Sequence, residues 1–189
     1  VTPTDTVGIN IPGGQFQLGG SFAGLTYLPD GSGAQYQAPI DITGFPTGAT
    51  ITNAQDLNQV CITMEHSYLG DLEIALECPN GTQVPLVNSY GPGFITGGTS
   101  GGGTYLGHPF DDGGGGGAGI GWEYCFSSAF NTIAGSMTAN LTNTVPVPFI
   151  PANPPTQMVD LSAGNSIDPS VVYEPEASFA GFAGCPING

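Results

Sequence analysis

Carboxylates are the residues with the most chemical potential in this 189-residue sequence. It has 15 Asp and Glu, two His and neither Lys nor Arg, giving a formal net charge of −15 at pH 7. Clustered carboxylates would therefore need an external cation, and calcium is the hard ion that carboxylate and carbonyl oxygens bind. A dispersed, solvated acidic surface is the competing interpretation. Nucleic acid and anionic lipid headgroups are disfavoured as partners, because both need a basic surface.

The leading candidates for calcium ligands are Asp71, near a predicted turn, and Asp111 with Asp112 in a glycine-rich stretch at 91–121. Adjacent carboxylates in a glycine-rich loop can wrap a large ion that accepts roughly six to eight oxygens. The alternative is that Asp71 caps a turn and that Asp111 and Asp112 are solvated. Three further candidates are Glu65, Glu123 and Glu174.

Catalytic chemistry has little support in the residue pattern. His66 and His108 have no convincing Ser or Asp relay, and no Gly-x-Ser-x nucleophile setting is present, so peptide hydrolysis is not indicated. Two distant His without paired Cys give no zinc spacing. No spacing among the carboxylates singles out the acid and nucleophile of a glycosidase. We predict that the protein is not an enzyme.

The cysteines predict two disulfides and an oxidising compartment, because they are even in number and lack zinc spacing. Free structural thiols in a reduced core are the alternative. The four residues are Cys61, Cys78, Cys125 and Cys185. An oxidising compartment predicts a secreted, extracellular or cell-surface protein. No apolar run is long enough to cross a membrane, so we expect no membrane insertion.

Two sequons and several aromatic residues are candidate contacts with carbohydrate. Asn80 and Asn140 each begin an Asn-x-Thr triplet, although such triplets arise by chance and Asn80-Gly81 also predicts a tight turn. Trp122 lies in an alternating segment, which favours a core position over a sugar platform. Exposed aromatic residues in predicted loops can stack on a glycan or a partner protein. These are Tyr68, Tyr90 and Tyr105.

The elements that must position these residues are short strands. Gly 32 and Pro 17 punctuate short apolar segments, and no run of about ten residues keeps helical periodicity. Strands are predicted at 84–87, at 122–126 and in pieces through 132–140, 143–150, 156–161 and 171–174. The fold class is therefore all-β.

Alternation at 59–78 predicts a β-hairpin that turns near Tyr68 to Gly70. Placing both apolar sets on one face requires Ile62 opposite Leu76 and Met64 opposite Ile74. Cys61 and Cys78 then point to opposite faces. We therefore predict that each bonds to Cys125 or Cys185, with the assignment between those two left open.

Residues 1–20 form a predicted N-terminal arm ahead of a main body at 21–189. The arm has two segments with strand-like alternation, separated by Pro12-Gly13-Gly14. Its apolar positions are Val7, Ile9, Ile11, Phe16 and Leu18.

The segment from Val60 to Ile74, VCITMEHSYLGDLEI, continuing to Cys78-Pro79-Asn80-Gly81-Thr82, resembles the "I-x-H-x-x-x-G-D-L" core of the P domain of proprotein convertases. Later segments resemble the branch of that family found in secreted bacterial proteins, and the likeness spans roughly residues 25–189. The resemblance implies a jelly-roll β-sandwich, here with an extended N-terminal strand arm. It also implies that His66 is a hydrogen-bonded turn residue.

Family members continue past the position of Gly189 into further strands, so the resemblance implies an open edge and an unfilled apolar groove. The arm can fill such a groove in a neighbouring copy by strand addition. Exchange of this kind does not close, so it predicts a head-to-tail homopolymer, the structural subunit of an extracellular filament. Packing of the arm on its own domain is one alternative. A calcium-dependent adhesin or carbohydrate- or protein-binding module is the other.

Overall fold

The computed structural model describes residues 4–11, 14–21, 28, 35–40, 42, 44–89, 104–109, 119–128, 135–138, 144–147 and 165–187, with 4–21 described by their backbone. Within these residues the secondary structure is mostly β, with short 3-10 turns and no α-helix. None of the helical turns described is long and apolar enough to span a membrane. The all-β prediction is confirmed at this level.

The described strands form one five-stranded sheet and two small sheets. The large sheet has the order β2-β1-β3-β6-β9, and the small sheets are β4-β5 and β7-β8. β6 and β9 run parallel, whereas the other paired strands are antiparallel. The strands are β1 Thr4–Ile11, β2 Gly14–Ser21, β3 Leu57–Met64, β4 Glu73–Glu77, β5 Gln83–Asn88, β6 Trp122–Phe126, β7 Thr144–Pro146, β8 Asn165–Ile167 and β9 Val172–Tyr173.

The pairing of β3 explains its alternating sequence. Ile62 lies opposite Tyr124 and Met64 opposite Trp122, so aliphatic residues of β3 meet aromatic residues of β6. Pairs of this kind stabilise antiparallel sheets by packing across the strands. Trp122 is half-buried against the core.

The predicted hairpin between β3 and β4 is wrong. β3 pairs with β1 and β6, while β4 pairs with β5, so Ile62 is not opposite Leu76 and Met64 is not opposite Ile74. A 3-10 turn at Leu69–Asp71 separates the two strands, and Leu69 and Gly70 in it are buried. A hairpin tip would face solvent, but this turn enters the core and carries the chain to another sheet.

The hairpin that does form joins β4 to β5 through the predicted Asn80-Gly81 turn. Gly81 has φ +86, which favours glycine. The Cys78 N–H donates to the Thr82 carbonyl at 2.8 Å, and the Gly81 N–H donates to the Cys78 carbonyl at 2.8 Å. The tight turn predicted from sequence is thus confirmed.

The sheets contribute to one apolar core. It includes Val60 and Phe126 from the large sheet, Val84 and Leu86 from β5, and Phe179 from a 3-10 turn at Phe179–Phe182. The Phe126 and Tyr173 rings lie 6.4 Å apart between centroids. The P-domain-like segment and the C-terminal turn therefore share a single core.

The arm is two strands that form a hairpin on the edge of the large sheet. Val7 lies opposite Leu18, and Ile9 lies opposite Phe16. β1 also pairs with β3 of the same chain, with a register shift between Gly8 and Ile9. In the isolated chain the arm thus lies on its own sheet, the arrangement weighed above as the alternative to exchange.

Candidate functional site

Strand β3 has two occupied edges, and they differ in how they are held. Thr6, Cys61, Cys125 and Val172 occupy one row across β1, β3, β6 and β9. Cys61 and Cys125 are disulfide-bonded with their Cα atoms 4.0 Å apart. The edge toward β6 is therefore locked covalently. The edge toward β1, here called the acceptor edge (residues 57–61), is paired through the backbone ladder.

Three of the five residues of the acceptor edge are buried. Leu57, Val60 and Cys61 are buried, and Val7 of β1 lies opposite Val60. If β1 left this edge, the main-chain N–H and C=O groups of β3 would be exposed beside apolar side chains. Another strand can bind to such a surface.

The second disulfide joins Cys78, at the end of β4, to Cys185, with the Cα atoms 5.9 Å apart. The Ile51 N–H donates to the Cys185 carbonyl at 2.9 Å, and the Gly184 N–H donates to the Ile51 carbonyl at 2.7 Å. Both disulfides are present, and Cys61 does not bond Cys78, as predicted. The hairpin geometry used to exclude that bond was wrong, because Cys61 and Cys78 lie in or beside different sheets.

Segments from three parts of the chain meet where β3 ends. His66 and Leu106 exchange backbone hydrogen bonds of 3.0 and 2.9 Å, and His108 and Ile120 exchange bonds of 2.8 and 2.9 Å. His66 Nδ1 also accepts a hydrogen bond from the Tyr68 N–H at 3.0 Å, so His66 is hydrogen-bonded as predicted, although it lies in a β-bridge just before the turn at Leu69–Asp71. His108 is buried, and burial lowers its pKa from the ordinary value of 6.5.

Gly107 is fixed at the centre of this junction. Its φ is +58, and a Cβ there would lie 2.5 Å from the Ile120 carbonyl oxygen and 2.9 Å from that of Met64. Its N–H donates to the buried hydroxyl of Tyr124 at 2.6 Å. Burial raises the pKa of Tyr124, so the phenol stays protonated, and it donates to the Ile167 carbonyl at 3.3 Å. The sequence pattern predicts no role for Gly107 or Tyr124.

Residues 56–96 match the family model of the proprotein convertase P-domain. Over these residues the chain is similar to that family. The P-domain segment, as we call residues 56–96, begins at Asp56 and includes β3, β4 and β5. No curated protein and no solved structure matches the chain. Together with the two disulfides, the P-domain segment indicates an extracellular or secretory-pathway protein.

Asp56 caps the start of the P-domain segment. Its Oδ2 accepts hydrogen bonds from the Thr52 N–H at 2.7 Å, the Thr52 hydroxyl at 2.6 Å and the Asn53 N–H at 3.2 Å. Burial raises the pKa of Asp56, but the hydrogen bonds from Thr52 and Asn53 lower it by more, so it lies below 3.8. The Asn-x-x-Asp spacing of a capping box was the sequence signal that could have identified this carboxylate.

The calcium candidates within the described residues are not brought together. Asp71, Glu123 and Glu174 are exposed on different elements, and Glu65 Oε1 accepts from the Gly119 N–H at 3.1 Å. Among the residues described, one group of three side chains has ligand atoms within 4.8 Å, and it comprises Cys61, Glu123 and Cys125. Its two sulfurs are bonded to each other and offer no thiolate. Asp111 and Asp112 lie outside the described residues.

The residues predicted to contact carbohydrate differ in exposure. Tyr68 is 42% exposed, whereas Tyr105, beyond the P-domain segment, is half-buried. Asn80 is exposed at the tip of the β4–β5 hairpin, where its Oδ1 accepts from the Thr82 N–H at 2.9 Å. Tyr90 and Asn140 lie outside the described residues.

Proposed function

We propose that the protein is a non-catalytic structural subunit of an extracellular filament or surface appendage, assembled head-to-tail by donation of the arm to the acceptor edge of the next copy. The observation that carries the proposal is the backbone pairing of β1 with β3. In the filament the same register is formed between copies instead of within one. Residues 21–189 act as the receiving domain, and the P-domain likeness supports a jelly-roll sandwich for it.

The charge of the chain favours recognition through the main chain. Copies that carry a net charge of −15 and no Lys or Arg cannot be joined by Lys or Arg pairs with carboxylates. Strand addition instead uses hydrogen bonds between main-chain N–H and C=O groups, together with apolar contacts. Neither interaction requires charged side chains. Repulsion between copies is screened by salt, so assembly should strengthen as ionic strength rises.

The covalent connection between arm and core permits exchange. β2 ends at Ser21, and among the described residues that follow it Ile40 is the first apolar residue that packs against the core. The intervening residues, 22–39, span about 60 Å when fully extended. Since donation of an arm to the next copy is a heterologous contact, repetition extends a filament and does not close a dimer.

Calcium is part of the proposal as a cation that neutralises carboxylates between or within copies. A hard divalent ion suits carboxylate oxygens, and the chain has no cationic side chain other than His to do this. Asp71, Glu123 and Glu174 are exposed to receive it. Filaments that loosen when calcium is chelated would support this role.

A non-catalytic role is supported by the residues whose pKa is shifted. Perturbed pKa values often mark catalytic groups, but among the described residues the groups with a shifted pKa all have structural roles: Asp56, His108, Tyr124 and Tyr173. Asp56 caps a turn, His108 is buried in a backbone bridge with Ile120, and the hydroxyl of Tyr124 accepts a hydrogen bond from the Gly107 N–H. The Tyr173 hydroxyl donates to the Asp168 carbonyl at 2.8 Å, and burial raises its pKa.

Electron microscopy of the full chain and of a variant without residues 1–20 tests the proposal. The full chain should form regular filaments, and the shortened chain should give soluble, less stable particles. Added arm peptide should restore stability to the shortened chain, because it pairs with the acceptor edge. It should not restore filaments, because a free peptide does not connect one copy to the next. A chain whose arm is replaced by a Gly-Ser sequence of equal length is the matched control. Filaments that persist in that control contradict the proposal.

A second candidate function is a glycan- or protein-binding module, favoured by the exposure of Tyr68. This ring is 42% exposed, while its backbone is held by His66 Nδ1. A fixed, exposed aromatic residue can stack on a sugar face. On a glycan array the wild type should then bind and Tyr68→Ala should lose binding, with Tyr36→Ala, also exposed at 43%, as control. Absence of retained ligands would remove this candidate.

A further inference from the structure

The tip of the β4–β5 hairpin combines a sequon with an accessible and ordered turn. Asn80, Gly81 and Thr82 form the Asn-x-Thr pattern, and the structure leaves Pro79, Asn80 and Gly81 exposed. The turn is anchored at its base, because the Cys78 N–H donates to the Thr82 carbonyl, the Cys78 carbonyl accepts from the Gly81 N–H, and Cys78 is covalently joined to Cys185. The sequon is therefore displayed at a fixed place on the surface.

The Asn80 side chain is oriented with its amide nitrogen available. Its Oδ1 accepts from the Thr82 N–H at 2.9 Å, which orders the side chain over its own sequon. No described residue accepts a hydrogen bond from its Nδ2. A Cβ built on Gly81 would meet nothing within 4 Å, so open space lies beside the sequon.

We propose that Asn80 is an N-glycosylation site that carries an oligosaccharide. The donor is a lipid-linked oligosaccharide diphosphate. The bond from the anomeric carbon to the diphosphate oxygen breaks, a bond from that carbon to Asn80 Nδ2 forms, and the amide gives up one proton as the lipid diphosphate leaves. Two disulfides and the P-domain segment indicate the secretory route on which such donors are met.

A glycan at this tip would constrain any assembly. The oligosaccharide is large and hydrated, so the tip of the β4–β5 hairpin would have to face solvent between copies. The acceptor edge lies in a different sheet from β4 and β5. Glycosylation and arm donation are therefore independent, and failure of one leaves the other standing.

Peptide mapping of the native protein tests the site. The absence of Lys and Arg rules out trypsin, but a protease that cleaves after Glu releases residues 78–123, which contain Asn80 and no other sequon. Asn140 falls in the following peptide. We expect residues 78–123 to carry a ladder of hexose and hexosamine masses. Treatment with peptide N-glycosidase in heavy-oxygen water should remove the ladder and leave labelled Asp at position 80.

Unmodified Asn80 in the native protein would overturn the proposal. Unlabelled Asp at position 80 would do the same, because an Asn-Gly sequence can deamidate without ever carrying a glycan. Two variants expressed in the native host separate the sequon from the fold. Thr82→Val removes the hydroxyl but keeps the N–H that Asn80 binds, and it should lose the glycan. Thr82→Ser should keep it, and a glycan that persists in Thr82→Val would contradict the assignment.

Discussion

The N–H of Gly107 donates a 2.6 Å hydrogen bond to the hydroxyl of Tyr124, both in the interior of the protein. Gly107 follows Leu106, which forms a β-bridge with His66. Tyr124 lies in β6, opposite Ile62 of the P-domain segment. Because the same phenol reaches the Ile167 carbonyl, one side chain joins three distant parts of the chain. This bond holds Gly107 against β6, the strand that pairs with β3. The acceptor edge is the opposite edge of β3.

Tyr124→Phe should lower the free energy of unfolding by about 1–3 kcal/mol, because it leaves a buried N–H at Gly107 without its acceptor. Urea unfolding followed by fluorescence measures the change. Tyr68→Phe, at an exposed ring, should have almost no effect. Equal stability of wild type and Tyr124→Phe would show that the bond contributes nothing.

Gly107→Ala should be among the most damaging single substitutions in the described residues. Its Cβ would meet two backbone carbonyl oxygens at a positive φ, and backbone atoms cannot move aside as a flexible side chain can. We expect a loss of at least about 3 kcal/mol. Gly48→Ala is the matched control, since φ is +79 but the space is open, and only about 1 kcal/mol of backbone strain should appear. Similar losses in the two variants would contradict the close packing at Gly107.

Stability should fall as the solution is acidified from neutral pH through the ordinary histidine pKa of 6.5. Burial lowers the pKa of His108 in the folded protein, so below 6.5 the unfolded chain binds a proton that the folded protein does not. The slope from this residue is at most about 1.4 kcal/mol per pH unit. Asp56, whose pKa lies below 3.8, contributes stability that is lost only at more acidic pH.

Urea unfolding between about pH 5 and pH 8 measures this slope. His108→Gln should flatten the curve in that range, and His66→Gln, which leaves His108 in place, should keep the slope. A wild-type curve without slope there would be evidence against a buried, neutral His108.

The disulfide connectivity can be checked without reduction. Cleavage after Glu should leave residues 1–65 linked to the peptide that begins at Tyr124, and residues 78–123 linked to the C-terminal peptide that contains Cys185. Mass spectrometry identifies these pairs directly. A link between the peptides of Cys61 and Cys78 would contradict the sheet arrangement.

Periodicity predicted several strands but not all of their partners. The segments around Val60 and Tyr124 alternate clearly and are strands β3 and β6, and the short apolar segment at 84–87 is part of strand β5. Which strand pairs with which depends on contacts between residues far apart in the chain, so proximity in sequence favoured the wrong β3–β4 hairpin. β8, Asn165–Ile167, was missed because three residues are too few to show a period.

Parts of the candidate site were predictable for local reasons. Asn80-Gly81 specifies its turn through glycine's freedom at positive φ. His66 accepts its hydrogen bond from Tyr68, only two residues further along the chain. The roles of Gly107 and Tyr124 were not predictable, because each depends on a partner brought close by the fold. The acidic residues offered candidates for calcium, but residue type alone does not place carboxylates together.

Cross-linking between copies tests the central claim, that the arm of one subunit pairs with β3 of another. Gly8 lies opposite Gln59 in the β1–β3 register, and the wild-type chain has no free cysteine. Gly8→Cys and Gln59→Cys, made in separate chains, are mixed, assembled and oxidised. A mixture of Gly8→Cys with Thr63→Cys is the control, because Thr63 is about 13 Å further along β3. Arm exchange predicts disulfide-linked pairs of chains, mapped to positions 8 and 59, in the first mixture and not in the control. Assembly without such links, together with complete linkage inside a chain that carries both substitutions, would show that the arm stays on its own subunit and would contradict the account.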